Sequence, residues 1–231
     1  MEMNNDDRLI VALDLPNTAL AEKLVLDLGN SVSFYKVGLA LIPIGGLRLV
    51  EGLKLAEKRV FLDLKLFDIG NTIENAVQNL KFLDVDFLTV HGDPQVVQSA
   101  CKARGASNMK ILAVTLLTSL DRNDLTNSLI IKGKISDLVV KRAQNALQAG
   151  ADGVIASPNE AKKIRALKEA KGKLIVTPGI RFLDTKMNDQ KRTSDPLTAF
   201  KNGSDFIVVG RPIYSSKDPL AEVKRIKLAL K

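Results

Sequence analysis

Acidic and basic side chains crowd one short, otherwise apolar stretch of this chain. The segment FLDLKLFDIGNT (61–72) carries Asp63, Lys65 and Asp68 among leucines and phenylalanines, and interior charge is costly unless it is paired. Two further charges interrupt apolar runs upstream, Asp14 after VAL and Lys36 after FY. If Asp14, Lys36, Asp63 and Lys65 converge, each lysine lies between carboxylates, and one such pair at about 4 Å is worth about 4 kcal/mol at an effective dielectric of about 20. An ammonium held in this way stays protonated. It is then a proton donor and a cation beside developing negative charge, whereas a Schiff-base lysine needs desolvation or a second cation. The pattern points away from imine chemistry. Taken singly, each charge could belong to a solvated strand end with a stray ion pair; four of them in three consecutive strand–helix units argue for a site.

A second group lies far downstream. TPGIR (177–181) is followed by a loop containing Gln190 and then by VVGRPI (208–213). Gly179 and Gly210 permit close approach of backbone to a ligand, and Arg211 offers a planar fork for phosphate oxygens. Other chemistries lack their residues. One histidine, His91, excludes multi-histidine metal sites, one cysteine, Cys101, excludes a disulfide within the chain, and no G-x-S-x-G sequence is present. His91 reads as a hydrogen-bonded histidine inside the fold, Ser157 and Asn159 as helix caps, and Cys101 as packing.

Elements that could bring the two groups together recur along the whole chain. Short runs rich in Val, Ile, Leu and Phe at 8–13, 33–37, 59–64, 86–90, 110–115, 152–156, 173–177 and 205–209 read as eight buried strands. Segments with helical spacing alternate with them at 19–28, 46–58, 72–82, 95–104, 135–149, 159–171, 197–201 and 219–230. Eight such units predict one α/β domain over 1–231, a closed parallel (β/α)8 or TIM barrel, with a doubly wound open sheet as the alternative. Three stretches, LDVDFLTVHG, AGADGVIAS and NGSDFIVVG, echo one another, each with an aspartate just before the strand. Side-chain period two puts Phe61, Asp63 and Lys65 on one strand face and Leu62, Leu64 and Leu66 on the other. The leucines then meet the helices, and the charges enter the barrel mouth. In barrels of this kind the loops after strands seven and eight commonly bind phosphate, which is where TPGIR and VVGRPI fall. The polar loops 117–133 and 181–195 read as covers over a ligand.

Composition agrees. The chain has 231 residues, 45% of them apolar, enough for a sizeable core. A net charge of +8, from 34 basic and 26 acidic residues, suits an anionic ligand but is spread along the sequence. With eight Phe, two Tyr and no Trp there is little surface for stacking bases, so nucleic acid is not indicated. No stretch approaches the ~20 apolar residues that cross a bilayer, no export signal is read at the N-terminus, and the cysteine usage points to the cytosol.

These residues together resemble the orotidine 5′-phosphate decarboxylase family, whose members make UMP without a cofactor. The likeness runs from VALD (11–14) through YKVG (35–38), DLKLFDIGNT (63–72), TVHG (89–92), LLTS (116–119) and TPGIR to VGRPI. The family signature is D-x-K-x-x-D, and the resemblance implies an alternating network of Lys36, Asp63, Lys65 and Asp68, with Lys65 protonating the C6 carbanion left by CO₂. It implies that Asp14 and Lys36 hold the ribose hydroxyls, that Thr118 bonds the pyrimidine, and that Arg181, Gln190, Gly210 and Arg211 surround the phosphate. It also implies a homodimer in which Asp68 and Thr72 reach into the neighbouring subunit's site, and no metal. One departure is visible: the family usually has proline where this chain has Gly70.

Two rivals remain at this stage. The related 3-keto-gulonate 6-phosphate decarboxylase and hexulose-phosphate synthase group shares the barrel and D-x-K-x-x-D but places a metal-binding acid on the second strand. Lys36 stands there instead and would repel Mg²⁺. A catalytically silent barrel that binds a phosphoribosyl ligand would be favoured by loss of Lys36, Asp63, Lys65 or Asp68, and all four are present.

Overall fold

The computed structural model describes residues 8–127, 130–181 and 194–229. Eight parallel strands close into a barrel in sequence order: β1 (Leu9–Ala12), β2 (Phe34–Gly38), β3 (Arg59–Leu66), β4 (Phe87–His91), β5 (Lys110–Val114), β6 (Gly153–Ile155), β7 (Leu174–Thr177) and β8 (Phe206–Val209). β1 completes the ring by pairing with β8, Ile10 opposite Val208. The closed barrel, rather than the open sheet, is therefore the architecture.

The helices are α1 (Thr18–Leu28), α2 (Gly46–Leu55), α3 (Gly70–Leu80), α4 (Pro94–Arg104), α5 (Arg122–Asn127), α6 (Ile135–Gln148), α7 (Pro158–Arg165), α8 (Pro196–Lys201), α9 (Arg211–Tyr214) and α10 (Pro219–Leu228). Local chemistry sets their starts. Asn17, Asp195 and Asp218 accept the free N–H groups of Leu20, Thr198 and Ala221, the capping that orphan donors in a first turn require. Proline opens α4, α7, α8 and α10, where its missing N–H costs nothing. Ser157 caps α7 as expected, accepting from the Asn159 N–H, so Asn159 is the residue capped and not a second cap.

Several boundaries differ from the periodicity. α3 begins two residues earlier, at Gly70, and ends at Leu80. The segment at 159–171 is split into α7 and a single 3₁₀ turn, Lys168–Ala170. The polar loop at 117–133 carries α5, anchored by the fully buried Leu125 and by the Arg122 guanidinium donating to the Ile131 and Gly133 carbonyls. α9, four residues directly after β8, is likewise an addition.

Apolar packing divides in two. Outward side chains of the strands meet the helices in the larger cluster, in which Val11, Tyr35, Leu62, Leu88 and Ile207 take part. Inside the barrel Ile10, Phe34, Phe61, Phe87, Leu112, Val176 and Phe206 form a separate core. The rings of Phe34, Phe87 and Phe206 stack edge to face at 5.0–5.8 Å. The Arg59 guanidinium lies 4.1 Å above Phe34 at the N-terminal end. With that end filled by rings, the inward positions left for polar groups lie at the C-terminal ends of the strands.

Candidate active site

A pocket of about 320 Å³ opens at those C-terminal ends, lined among others by Asp14, Lys36, Asp63, Lys65, Thr118, Arg181, Gly210 and Arg211. Along one wall the charges alternate. Lys36 Nζ lies 2.8 Å from Asp14 Oδ1 and 3.3 Å from Asp63 Oδ2, and Lys65 Nζ lies 2.9 Å from Asp63 Oδ1. Lys36 and Asp63 are buried, at 7% and 9% exposure, while the side chains of Asp14 and Lys65 keep 48% and 36% and so face the pocket opening.

Burial alone would push the Lys36 pKa down, but the carboxylates of Asp63 and Asp14 outweigh it and hold the pKa above the ordinary lysine range. Burial likewise opposes ionisation of Asp63. The ammonium groups of Lys36 and Lys65 and a hydrogen bond from Thr89 win, and its pKa falls below the ordinary carboxylate value. Both buried groups are therefore held in their charged forms.

β3 reaches this arrangement by an irregular path. From Leu62 to Leu66 it takes four residue steps while β4 takes only two, from Leu88 to Val90, so β3 bulges opposite Thr89. Lys65 adopts a left-handed backbone, φ 49°, which costs a non-glycine residue about 1–2 kcal/mol. The faces come out as period two predicts, Asp63 and Lys65 toward the pocket and Leu62, Leu64 and Leu66 toward the outer core. Plain alternation is not what delivers the last of them. Gly38 makes room for the pair beside it: a Cβ there would stand 2.8 Å from Asp14 Oδ1 and 3.2 Å from Lys36 Nζ.

A second part of the lining is formed after β7 and β8. Arg181 is buried at 8% exposure and shares the pocket with Gly179, Gly210 and Arg211. Of the expected cover at 181–195, residues 182–193 lie outside the described residues; on either side of them the Arg181 N–H donates to the Ser194 carbonyl at 2.9 Å and the Ser194 N–H to the Gly179 carbonyl at 3.2 Å. Gln190 lies outside the described residues. The lining thus combines a row of alternating charge with two arginines and Thr118, on the loop after β5. That is a lining for a ligand with a polar ring at one end and an anion at the other.

A family model described as the orotidine 5′-phosphate decarboxylase / HUMPS family matches residues 7–226. The chain belongs to this family. A protein from Ruegeria pomeroyi named orotidine 5′-phosphate decarboxylase is 57% identical over 217 residues, covering 94% of this chain and 90% of that one. One of the same name from Jannaschia sp. is 55% identical, covering 96% and 97%. The solved structure of orotidine 5′-phosphate decarboxylase from Lactobacillus acidophilus superposes with a TM-score of 0.84 at 37% identity, covering 98% of this chain and all of that one.

In this member of the orotidine 5′-phosphate decarboxylase / HUMPS family, two residues of the signature stand apart from the pocket. Asp68 and Thr72 are exposed and do not line the pocket of their own chain. Each lysine was expected between carboxylates; among the described residues Lys65 pairs with Asp63 and with no second carboxylate. The reason is local. Asp68 lies beyond the end of β3 and its carboxylate accepts the Ile69 N–H at 2.7 Å. Gly70 packs closely on α4: a Cβ at position 70 would stand 2.7 Å from Ser99 Oγ. His91, half-buried at the end of β4, packs its ring 4.8 Å from Phe67 and is not among the pocket residues. Sequence reasoning missed Thr89. A threonine inside a strand reads as an ordinary β-former, yet it shares the inward parity of Phe87, and a polar residue at an inward position is the signal that could have found it. Among the described residues no three His, Cys, Asp or Glu side chains gather as metal ligands would.

Proposed function

We propose that this chain decarboxylates orotidine 5′-phosphate to UMP without a cofactor. The observation that carries the reading is the row Asp14–Lys36–Asp63–Lys65 in one pocket with Arg181 and Arg211. In the proposed step the C6–carboxylate bond breaks, CO₂ leaves, and the electron pair stays on C6 in the ring plane. Lys65 Nζ stabilises that charge and gives its proton to C6, and the resulting amine regains a proton from solvent. Asp63, locked between two ammonium groups, holds Lys65 and crowds the departing carboxylate, so the charge pattern the carbanion needs is in place before the bond breaks.

The remaining roles follow the same chemistry. Asp14 and Lys36 hold the ribose hydroxyls, Thr118 bonds the pyrimidine, and Arg181, Gln190, Gly210 and Arg211 hold the phosphate. The phosphate is remote from C6, so its binding energy is available to the reacting end of the substrate. Asp68 and Thr72, which are exposed and do not line their own pocket, act in the site of a second copy in a homodimer. We place the enzyme in the cytoplasm; among the described residues no helix is long and apolar enough to cross a membrane. Against the Mg²⁺-dependent sugar-phosphate alternative, Lys36 puts a buried ammonium where that chemistry needs an acid.

The test is direct. Pure protein in a chelator is expected to consume orotidine 5′-phosphate, followed by its ultraviolet absorbance, and Lys65→Ala to abolish UMP formation while remaining folded. Near-normal turnover in Lys65→Ala refutes the role of that lysine, and activity lost in EDTA and restored by Mg²⁺ moves the protein to the sugar-phosphate chemistry.

A further inference from the structure

The bulge in β3 leaves the Lys65 N–H off the strand ladder, and a buried backbone donor needs an acceptor. Thr89 Oγ1, fully buried on β4, accepts it at 3.0 Å. With that bond made, the hydroxyl proton points elsewhere, and Thr89 Oγ1 donates to Asp63 Oδ1 at 2.8 Å. The same Asp63 Oδ1 meets Lys65 Nζ at 2.9 Å. The four groups close a ring: Lys65 main chain, Thr89 hydroxyl, Asp63 carboxylate, Lys65 ammonium. One hydroxyl thereby ties down both ends of the Lys65 side chain, its strained backbone and the carboxylate that receives its charge.

We infer that Thr89 is a positioning residue for proton delivery: its hydroxyl holds Lys65 in the left-handed backbone and fixes the Asp63 carboxylate that aims the Lys65 ammonium. The inference rests on the decarboxylase reading for its consequence and on the hydrogen bonds alone for its geometry. Thr89 is not itself among the pocket residues and meets the pocket only through Asp63 and Lys65, so its removal acts on turnover and not on ligand affinity. The other groups facing Asp63 are Lys36 and Lys65, with Asp14 beyond Lys36; none of them changes in a Thr89 variant.

Thr89→Val keeps the shape and deletes the hydroxyl, and Thr89→Ser restores it. A lost hydrogen bond to a charged group predicts kcat lower by about 10- to 100-fold in Thr89→Val, with KM and UMP affinity unchanged, and most of the loss recovered in Thr89→Ser. The Asp63 titration, followed by carboxyl ¹³C NMR, is expected to move to higher pH in Thr89→Val and to return in Thr89→Ser. Wild-type kcat and an unmoved Asp63 titration in Thr89→Val overturn the inference, as do equal losses in the Val and Ser variants. Should Thr89→Val not fold, Thr89→Cys, a weaker donor of similar size, carries the same expectation and the same reversal. Wild-type protein without decarboxylase activity would instead defeat the functional reading, and the Asp63 titration would still decide the role of Thr89.

Discussion

Tyr35 and Lys36 are neighbours on β2 with opposite fates. Lys36 points inward and meets two carboxylates; Tyr35 points outward into the apolar layer under the helices, and its hydroxyl is fully buried with no hydrogen-bond partner among the described residues. Burial pushes the Tyr35 phenol well above its usual pKa, as expected of a group that cannot be solvated when ionised. An unmet buried hydroxyl carries a desolvation penalty that a matched one does not. Tyr35→Phe keeps the ring and removes the penalty, so it is expected to stabilise the fold by about 1–2 kcal/mol, read as a higher urea midpoint at unchanged slope. A lower midpoint would mean that the hydroxyl has a partner after all. The converse holds for Lys36 and Asp63. Each is tolerable in the interior only because the other is there, so their burial is evidence of a use for charge and not of a gain in stability.

At the scale of elements, the aspartates that echo through the sequence have a common structural task. Asp86, Asp152 and Asp205 precede β4, β6 and β8, and each carboxylate reaches back to accept a backbone N–H of the strand before it, from Val60, Ile111 and Ile175. Each also meets an arginine, Arg59, Arg104 and Arg165 in turn. The device clasps an odd strand to the even strand after it, at the end of the barrel away from the pocket. At the corresponding place before β2 stands Ser33, directly ahead of Phe34. Replacing any one of the three aspartates by alanine is therefore expected to lower stability by about 1–3 kcal/mol while kcat stays at the wild-type value. A stable variant, or one whose kcat falls, would contradict a purely architectural clasp. Strand order and barrel closure were legible because strands buried on both faces read as unbroken apolar runs and because the Asp-strand unit repeats. Asp14, Lys36, Asp63 and Lys65 were legible for the reverse reason, as charges where the pattern demands none. α5 and α9, of six and four residues, are too short to show a period, and α5 depends on Asp121 accepting the N–H groups of Asn123 and Asp124. The bulge at Lys65 was not legible, since it arises from the pairing of β3 with β4 and leaves the alternation of side chains intact.

For the molecule as a whole, the unanswered geometry is the segment between β3 and α3. Phe67 and Ile69 are 63% and 70% exposed, and Asp68 and Thr72 beside them are exposed and do not line their own pocket. Apolar side chains of this size gain from being covered, and a two-fold dimer that covers them places the same segment of each protomer against the other. If that dimer shares its sites as proposed, every site takes Lys65 from one protomer and Asp68 from its partner. A mixture of Lys65→Ala and Asp68→Ala protein, each inactive alone, then contains hybrid dimers with two unequal sites. One site holds both substitutions, and the other holds both native residues. With equal amounts and free exchange, half the dimers are hybrids, and each has one intact site of two, so the mixture is expected to regain roughly one quarter of wild-type turnover. If Asp68 served its own chain, every site in the mixture would lack one residue or the other and nothing would return. Subunit exchange verified by mass, with no regained activity, would therefore place Asp68 in its own subunit's chemistry or outside the chemistry altogether.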